Sequence, residues 1–360
     1  MSRNQSLDFG VDQQHHDPGH PFMIFYFIVQ TGLMVVGTLG NLLVLVAFAT
    51  DKKLLTNVNI FILNLAVSDL IVVGFILPFN IFGILKSHHF FSANTVLCEA
   101  IAFFCVTSCI SQLWSVMGIS INRYVYICKS KYYKQIFTRK STVVMVVIVW
   151  IISCLIDMPN FLHWGGNRYD MKTLVCSYDR TANYGWILFF VGSAVLFPGV
   201  VDVFCYCSIV AYVRRHSMKV HSGIVTINQG GEGAGNRSGA SGNVRLSNRQ
   251  IQLLKMIVFI FAVFSVCWLT YGMVVMIDFE DSLSQTTHVI VWIIAHSSST
   301  LDPVIYCMTN KQFRDNFKSI FKCFPKRRTN VSLRPSSGSN FSRSNAVKVE
   351  YADRRIAWDK

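Results

Sequence analysis

Seven long apolar blocks follow one another along the chain, at roughly 23–50, 58–84, 97–127, 142–163, 185–213, 253–277 and 287–308, with shorter polar stretches between them. The apolar residues form continuous runs rather than stripes at every third or fourth position, so each helix would be apolar on all its faces. About 20 such residues cross the hydrocarbon of a bilayer, and a helix satisfies its own backbone there. The pattern predicts an all-α membrane protein whose residues 23–308 form a seven-transmembrane helix bundle. Buried helices of a soluble core would not come seven in succession. Residues 1–22 are polar and lack the apolar centre of a signal peptide, so the first block reads as an uncleaved anchor with an extracellular tail before it.

The pattern changes beyond the seventh block. Phe313, Phe317, Ile320 and Phe321 recur at helical spacing, with Lys and Arg between them. That predicts an amphipathic helix over 309–323, lying on the inner membrane surface, and Cys323 at its end is a juxtamembrane palmitoylation candidate. The tail 324–360 reads as disordered, with Ser332, Ser336, Ser337, Ser339, Ser342 and Ser344 as phosphorylation sites. A glycine-rich stretch within 216–249 predicts a flexible third cytoplasmic loop.

Composition supports this reading: 52% of the 360 residues are hydrophobic and 14% charged. Charge sets the orientation. Only five of the 33 Lys and Arg residues (Arg3, Lys86, Arg168, Lys172 and Arg180) fall on the side of the N-terminus, which puts the other side in the cytoplasm. The net charge of +14 then faces anionic lipid. Nucleic acid is not indicated, because the cations are scattered over short loops and a tail. On the outer side Asn4, in Asn-Gln-Ser, is the one glycosylation sequon.

Most of the 11 cysteines lie in or beside apolar spans, where a thiol is a small hydrophobe. Cys98 and Cys176 do not. Both fall on the outer, oxidising side, where a disulfide persists, and that bridge would tie the second outer loop over the mouth of the bundle. Arg123 lies 25 residues after Cys98, about 38 Å along a helix and so one bilayer crossing away. Polar groups recur within the other spans: Asn41, Asp69, Asp302 and Tyr306, with Trp268 one turn beyond Phe264. Each is costly in lipid and should face the bundle interior.

On these residues the chain resembles the rhodopsin-like, class A G-protein-coupled receptors over about residues 23–325. Asn122, Arg123 and Tyr124 match the family's Asp-Arg-Tyr motif, and Asp302, Pro303 and Tyr306 match an Asp variant of Asn-Pro-x-x-Tyr. Cys267 and Trp268 match the sixth-helix toggle, Pro198 and Tyr206 the fifth-helix motif, and Trp150 the fourth-helix tryptophan. The resemblance implies a plasma-membrane receptor that binds an extracellular small molecule or peptide and activates heterotrimeric G proteins. Arg123 would be the switch, and receptor kinases and arrestin would act on the tail serines. Gln112, Ser298 and Ser299 surround Asp69 where relatives often bind sodium, the one ion expected.

Several positions depart from the family or from its better-known branches. Asn122 replaces an acid, so the resting clamp on Arg123 loses a charge-assisted pair. Thr270 stands where the sixth helix usually has proline; its hydroxyl can bend a helix, more weakly. Cys105 replaces the aspartate of amine receptors, and His296 the lysine that holds retinal in opsins, which excludes a retinal Schiff base. Asn-Arg-Tyr and the Met-Pro-Asn ending at Asn160 resemble melatonin receptors and the invertebrate Moody/Tre-like orphan group, but Ala194 replaces the expected fifth-helix histidine and Arg180 the expected loop glutamine. Candidate pocket residues are Cys105, Asn160, Arg180, Tyr271 and His296; Arg180 is placed either to grip a ligand carboxylate or, as an exposed loop arginine, to pair with Asp179 or Asp278. A melatonin-like ligand and a carboxylate or lipid ligand both stay open, as does a receptor-like protein that couples no G protein. A channel is disfavoured by the lack of repeats and of a charged pore ring. An enzyme is disfavoured by the lack of paired acid and base at catalytic spacing.

Overall fold

The computed structural model describes residues 20–86, 88–227 and 248–323. Among these residues, seven helices are long and apolar enough to cross a membrane. They are α1 (His20–Thr50), α2 (Asn57–Lys86), α3 (Thr95–Cys128), α4 (Arg139–Asp157), α5 (Tyr184–Val191, continued through Gly192–Leu196 and Phe197–Ile227), α6 (Asn248–Ile277) and α7 (Gln285–Thr309). An eighth helix, α8 (Lys311–Cys323), follows directly. The helix ends match the sequence blocks to within a few residues, except that α5 and α6 run on into the expected third cytoplasmic loop. The N-terminal tail with Asn4, the core of that loop and the serine-bearing tail lie outside the described residues.

Burial sorts the helices. In the most apolar windows of α2, α3 and α7 two-thirds of the residues are buried, against 28% in α1 and α4. The three inner helices therefore carry the interior chemistry, while α1 and α4 turn most of their surface outward, as lipid-facing helices do. Close approach needs small residues. A Cβ on Gly40 would come within 2.9 Å of Pro303, and one on Gly37 within 2.8 Å of Val73 and Thr300, so α1 can lie against α7 only because both positions are glycine. Two of the helices carry one wider turn each, at Val72–Ile76 and Gly192–Leu196, the kind of π-turn often found near functional sites.

The outer side holds one feature that the sequence pattern did not suggest. Strands β1 (Asn167–Asp170) and β2 (Val175–Tyr178) pair antiparallel, with Tyr169 opposite Cys176. β2 is buried throughout, and Cys176 is bonded to Cys98 at the outer end of α3, with 5.2 Å between the Cα atoms. The hairpin therefore lies over the bundle. On the inner side α8 buries Phe313 and Phe317 and stacks Phe313 on Tyr306, with ring centres 5.5 Å apart.

Candidate functional site

The cytoplasmic end of α3 presents Arg123 as a buried cation, 7% exposed. Its Nη2 donates to Asn122 Oδ1 at 2.8 Å, and its guanidinium lies over the Tyr126 ring, 5.1 Å from the centroid. The arginine is thus clamped by its own neighbour, through a neutral amide. Nε of Arg123 and Nδ2 of Asn122 find no partner, so the clamp is incomplete. On α5, Tyr206 receives a hydrogen bond from Ser120 Oγ at 3.1 Å and packs on Phe261 of α6. Tyr124 faces Phe204 of α5. Arg123 and Tyr206 therefore sit at the junction of α3, α5 and α6, where an outward swing of α6 would expose them.

An Asn122→Asp substitution puts two charges where there is now one. The resting clamp should gain on the order of 1 kcal/mol, and the active fraction should fall about fivefold. Ligand-independent signalling measured at matched surface expression checks this; an unchanged or higher level would mean that residue 122 does not restrain Arg123.

Toward mid-membrane the polar residues meet. Asn41 Nδ2 donates to the carbonyl of Ser299 on α7 at 2.8 Å, Gln112 Nε2 donates to Ser299 Oγ at 2.9 Å, and Ser298 Oγ turns back to Ala295 O. Tyr306 donates to Asp302 Oδ2 at 3.4 Å. Asp69 and Asp302 are both fully buried and interact with each other. Ser299 also lies beside Asp69, but neither Asp69 oxygen completes a hydrogen bond with good geometry. Asp302 Oδ1, Asn41 Oδ1 and Gln112 Oε1 are likewise unpartnered. Five buried acceptor oxygens without donors, two of them on one carboxylate, suit a hard cation that takes oxygen ligands.

Above this network lies an aromatic stack. Trp292 is stacked on His296 with centroids 4.0 Å apart, and Trp268 packs edge-on against Tyr271. Phe264 is buried one turn below Trp268. Thr270, which replaces proline in α6, donates back to Val266 O at 2.6 Å, so the hydroxyl engages the preceding turn.

Two pocket candidates are already engaged. Asn160 donates to Asp157 Oδ1 at 2.8 Å and accepts from the Gly166 amide at 3.1 Å, so it pins the outer loop to α4. Arg180, for which a ligand carboxylate and pairing with Asp179 or Asp278 were both open, is buried among three of the chain's own carboxylates: Asp170 at 3.4 Å, Asp278 at 3.6 Å, and Asp281. Lys172 joins Asp281 at 2.8 Å, and His288 meets Asp278 at 2.7 Å. Burial alone would raise the Asp170 carboxyl, but the Arg180 guanidinium and hydrogen bonds from Lys172 and Thr173 outweigh it and hold it below the usual range. Arg180 would be lowered by burial, yet Asp170 and Asp281 hold it above its ordinary value. The cluster ties the hairpin to the α6–α7 turn as a latch. A cavity of about 290 Å³ lies elsewhere, between α3, α5 and α6, lined by Leu113, Val116, Asp202, Phe261, Phe264 and Trp268 among others; none of the five pocket candidates lines it.

Other interior partners were not visible in the sequence. Asn64 accepts from Trp150 Nε1 and donates to Ser115 Oγ, both at 2.8 Å, and so links α2, α3 and α4. Asp157 is satisfied by Thr107 and Asn160. Asp202 engages Ser120.

Comparison with known proteins agrees with this geometry. Residues 40–306 match the family described as 7 transmembrane receptor (rhodopsin family). Melatonin receptor type 1A of Mus musculus is 27% identical over 80% of this chain and 77% of its own. Melatonin receptor type 1B-B of Danio rerio is 29% identical over 79% of this chain and 78% of its own, and a GQ-coupled rhodopsin of Mizuhopecten yessoensis is 26% identical over 91% and 66%. A match over most of the chain and seven spanning helices, with Arg123 and Tyr306 buried among them, lead to one conclusion: the chain belongs to the rhodopsin family of seven-transmembrane, G-protein-coupled receptors and is a multi-pass plasma-membrane receptor rather than an enzyme.

Proposed function

We propose that this receptor answers to a small, uncharged ligand of the melatonin type and signals to heterotrimeric G proteins through the Asn122-Arg123-Tyr124 switch. Charge pairing at the mouth carries the ligand class. The three basic groups of the second outer loop are spent on the protein itself, Arg180 and Lys172 on Asp170, Asp278 and Asp281, and Arg168 on Asp179 at 3.1 Å. A carboxylate ligand would have to displace one of these pairs. A protonated amine finds Cys105, not an acid, on α3. The aromatic interior of Trp268, Tyr271, Trp292 and Tyr178 suits a flat apolar molecule instead.

Coupling rests on the burial of Arg123 under a weak clamp at the α3–α5–α6 junction. Asp69, with Asn41, Gln112, Ser299 and Asp302, would hold a sodium ion that favours the resting packing of α2, α3 and α7. The test is a G-protein activation panel in cells expressing the full chain, with melatonin, neutral indoles, fatty acids, amines and peptides applied separately. Activation by neutral indoles and by no fatty acid supports the reading, and activation by a fatty acid overturns the ligand class. Silence with and without every ligand, against every G-protein class, would favour a receptor-like protein that does not couple. Sodium should lower basal activation in the wild type but not in Asp69→Asn.

A further inference from the structure

Three soft donors meet inside the bundle, apart from the oxygen network. Cys105 and Cys109 stand one turn apart on α3, and His296 faces them from α7. All three are buried, and their sulfur and nitrogen atoms lie within 4.8 Å of one another. Cys105 Sγ is 3.8 Å from His296 Nε2. In a tetrahedral zinc site, bonds of about 2.3 Å to sulfur and 2.0 Å to nitrogen place such ligands about 3.5–3.8 Å apart, so side-chain rotation of roughly 1 Å closes the set.

The imidazole is already oriented for a metal. His296 Nδ1 lies 3.0 Å from the carbonyl of Trp292. A carbonyl only accepts, so Nδ1 carries the proton and the Nε2 lone pair points toward the thiols. This is the outer-sphere contact that fixes the tautomer of metal-bound histidines. Trp292, stacked on the ring, holds it in place.

We propose that Cys105, Cys109 and His296 form a zinc-binding site that joins α3 to α7 inside the bundle. The ligand chemistry selects the ion. Two thiols and an imidazole suit a thiophilic d¹⁰ cation and offer nothing to calcium or magnesium, which take oxygen. Charge selects further. Zn²⁺ displaces one proton from each thiol, and Zn²⁺ with two thiolates and a neutral imidazole carries no net charge, so burying the complex leaves no uncompensated ion. Zinc also has no redox step, which matters because Cys105 lies only about 10 Å along α3 from the disulfide at Cys98, on the oxidising side. Three protein ligands leave a fourth position open to water or to a donor atom of a ligand. The site lies beside Trp268, whose ring centre is 6.1 Å from that of His296, so zinc would brace α7 against α3 next to the toggle. The proposal does not depend on the ligand class or on G-protein coupling.

The test uses the full chain without an affinity tag, in lipid nanodiscs and stripped by a chelator. Titration with zinc alone should give one tightly held ion per chain. Cys105→Ser, Cys109→Ser and His296→Asn should each weaken binding at least about tenfold, while Cys207→Ser, exposed on α5, should not. Because a variant can fail to fold, cobalt in the wild-type protein gives a second reading: thiolate-to-cobalt charge-transfer absorption with tetrahedral visible bands. Unchanged zinc binding in all three folded variants would place the ion elsewhere and overturn the proposal. So would cobalt bound without thiolate absorption, the absence of bound zinc, or a Cys105–Cys109 disulfide in unreduced peptides.

Discussion

Replacing Arg123 with alanine should cut G-protein activation at least about tenfold while surface expression stays near the wild-type level. Both halves of this expectation come from the geometry. The guanidinium makes one hydrogen bond, to Asn122 on its own helix, and one ring contact, to Tyr126. Nothing described ties it to another helix by a hydrogen bond, so the bundle loses little when it goes. Its Nε has no partner, and removing a buried, half-satisfied cation relieves part of a desolvation cost. The active state loses more. With α6 swung outward, Arg123 would be the cation exposed at the inner end of the bundle and could donate to the G protein. A loss of at least about tenfold in activation, the order of 1.4 kcal/mol or more of active-state contact, should be read in a nucleotide-exchange assay normalised to surface receptor. Equal signalling by the variant would remove Arg123 from the switch.

The second large effect falls on the outer side. Cys98→Ala or Cys176→Ala should each sharply reduce the amount of folded receptor reaching the surface. The bridge closes a loop with a sequence separation of 78 residues, and chain entropy assigns such a closure about 4.5 kcal/mol in a fully free unfolded chain. Membrane helices are already confined before they pack, so the measured loss should lie below that figure. The hairpin also depends on the bridge for its position. Tyr26 donates to Thr173 O at 2.8 Å, Tyr169 to Gly83 O at 3.2 Å, and Arg180 enters its carboxylate cluster only if β2 is held down. The double variant should be no worse than either single one, since the two thiols act as one unit. Additive losses in surface yield and thermal stability would show two separate roles.

The spanning helices were legible because lipid imposes a long, unbroken apolar run that no loop imitates; α4 and α7 are found within a few residues of their sequence blocks. The disulfide was legible from compartment alone. That Asp69, Arg123 and Asp302 face the bundle interior was legible because they are charged groups in otherwise apolar segments, and such groups stand out. The outer latch was legible only in part. Pairing of Arg180 with Asp278 was open from the sequence, but nothing showed that Asp170 and Asp281, the latter 101 positions away, would join it, because loop geometry is set by tertiary contacts rather than by any period. Nor did the sequence show that Asp157 and Gly166 engage both ends of the Asn160 amide, a candidate ligand contact. The hairpin was missed because its strands are four residues each, too short for an alternating pattern to register. Cys105, Cys109 and His296 were noticed singly, as small hydrophobes or pocket positions. Only the packing of α3 against α7 brings them together.

In the proposed mechanism, the inner ends of α3, α5 and α6 form a G-protein switch held at rest by a weak clamp. The direct measurement is guanine-nucleotide exchange by purified G proteins of each class, driven by the full-length receptor in lipid nanodiscs without ligand. Exchange with at least one class should exceed the receptor-free rate and return to it with Arg123→Ala. Exchange at the receptor-free rate with every class, for correctly folded receptor and also for receptor given an activating ligand, would contradict the mechanism.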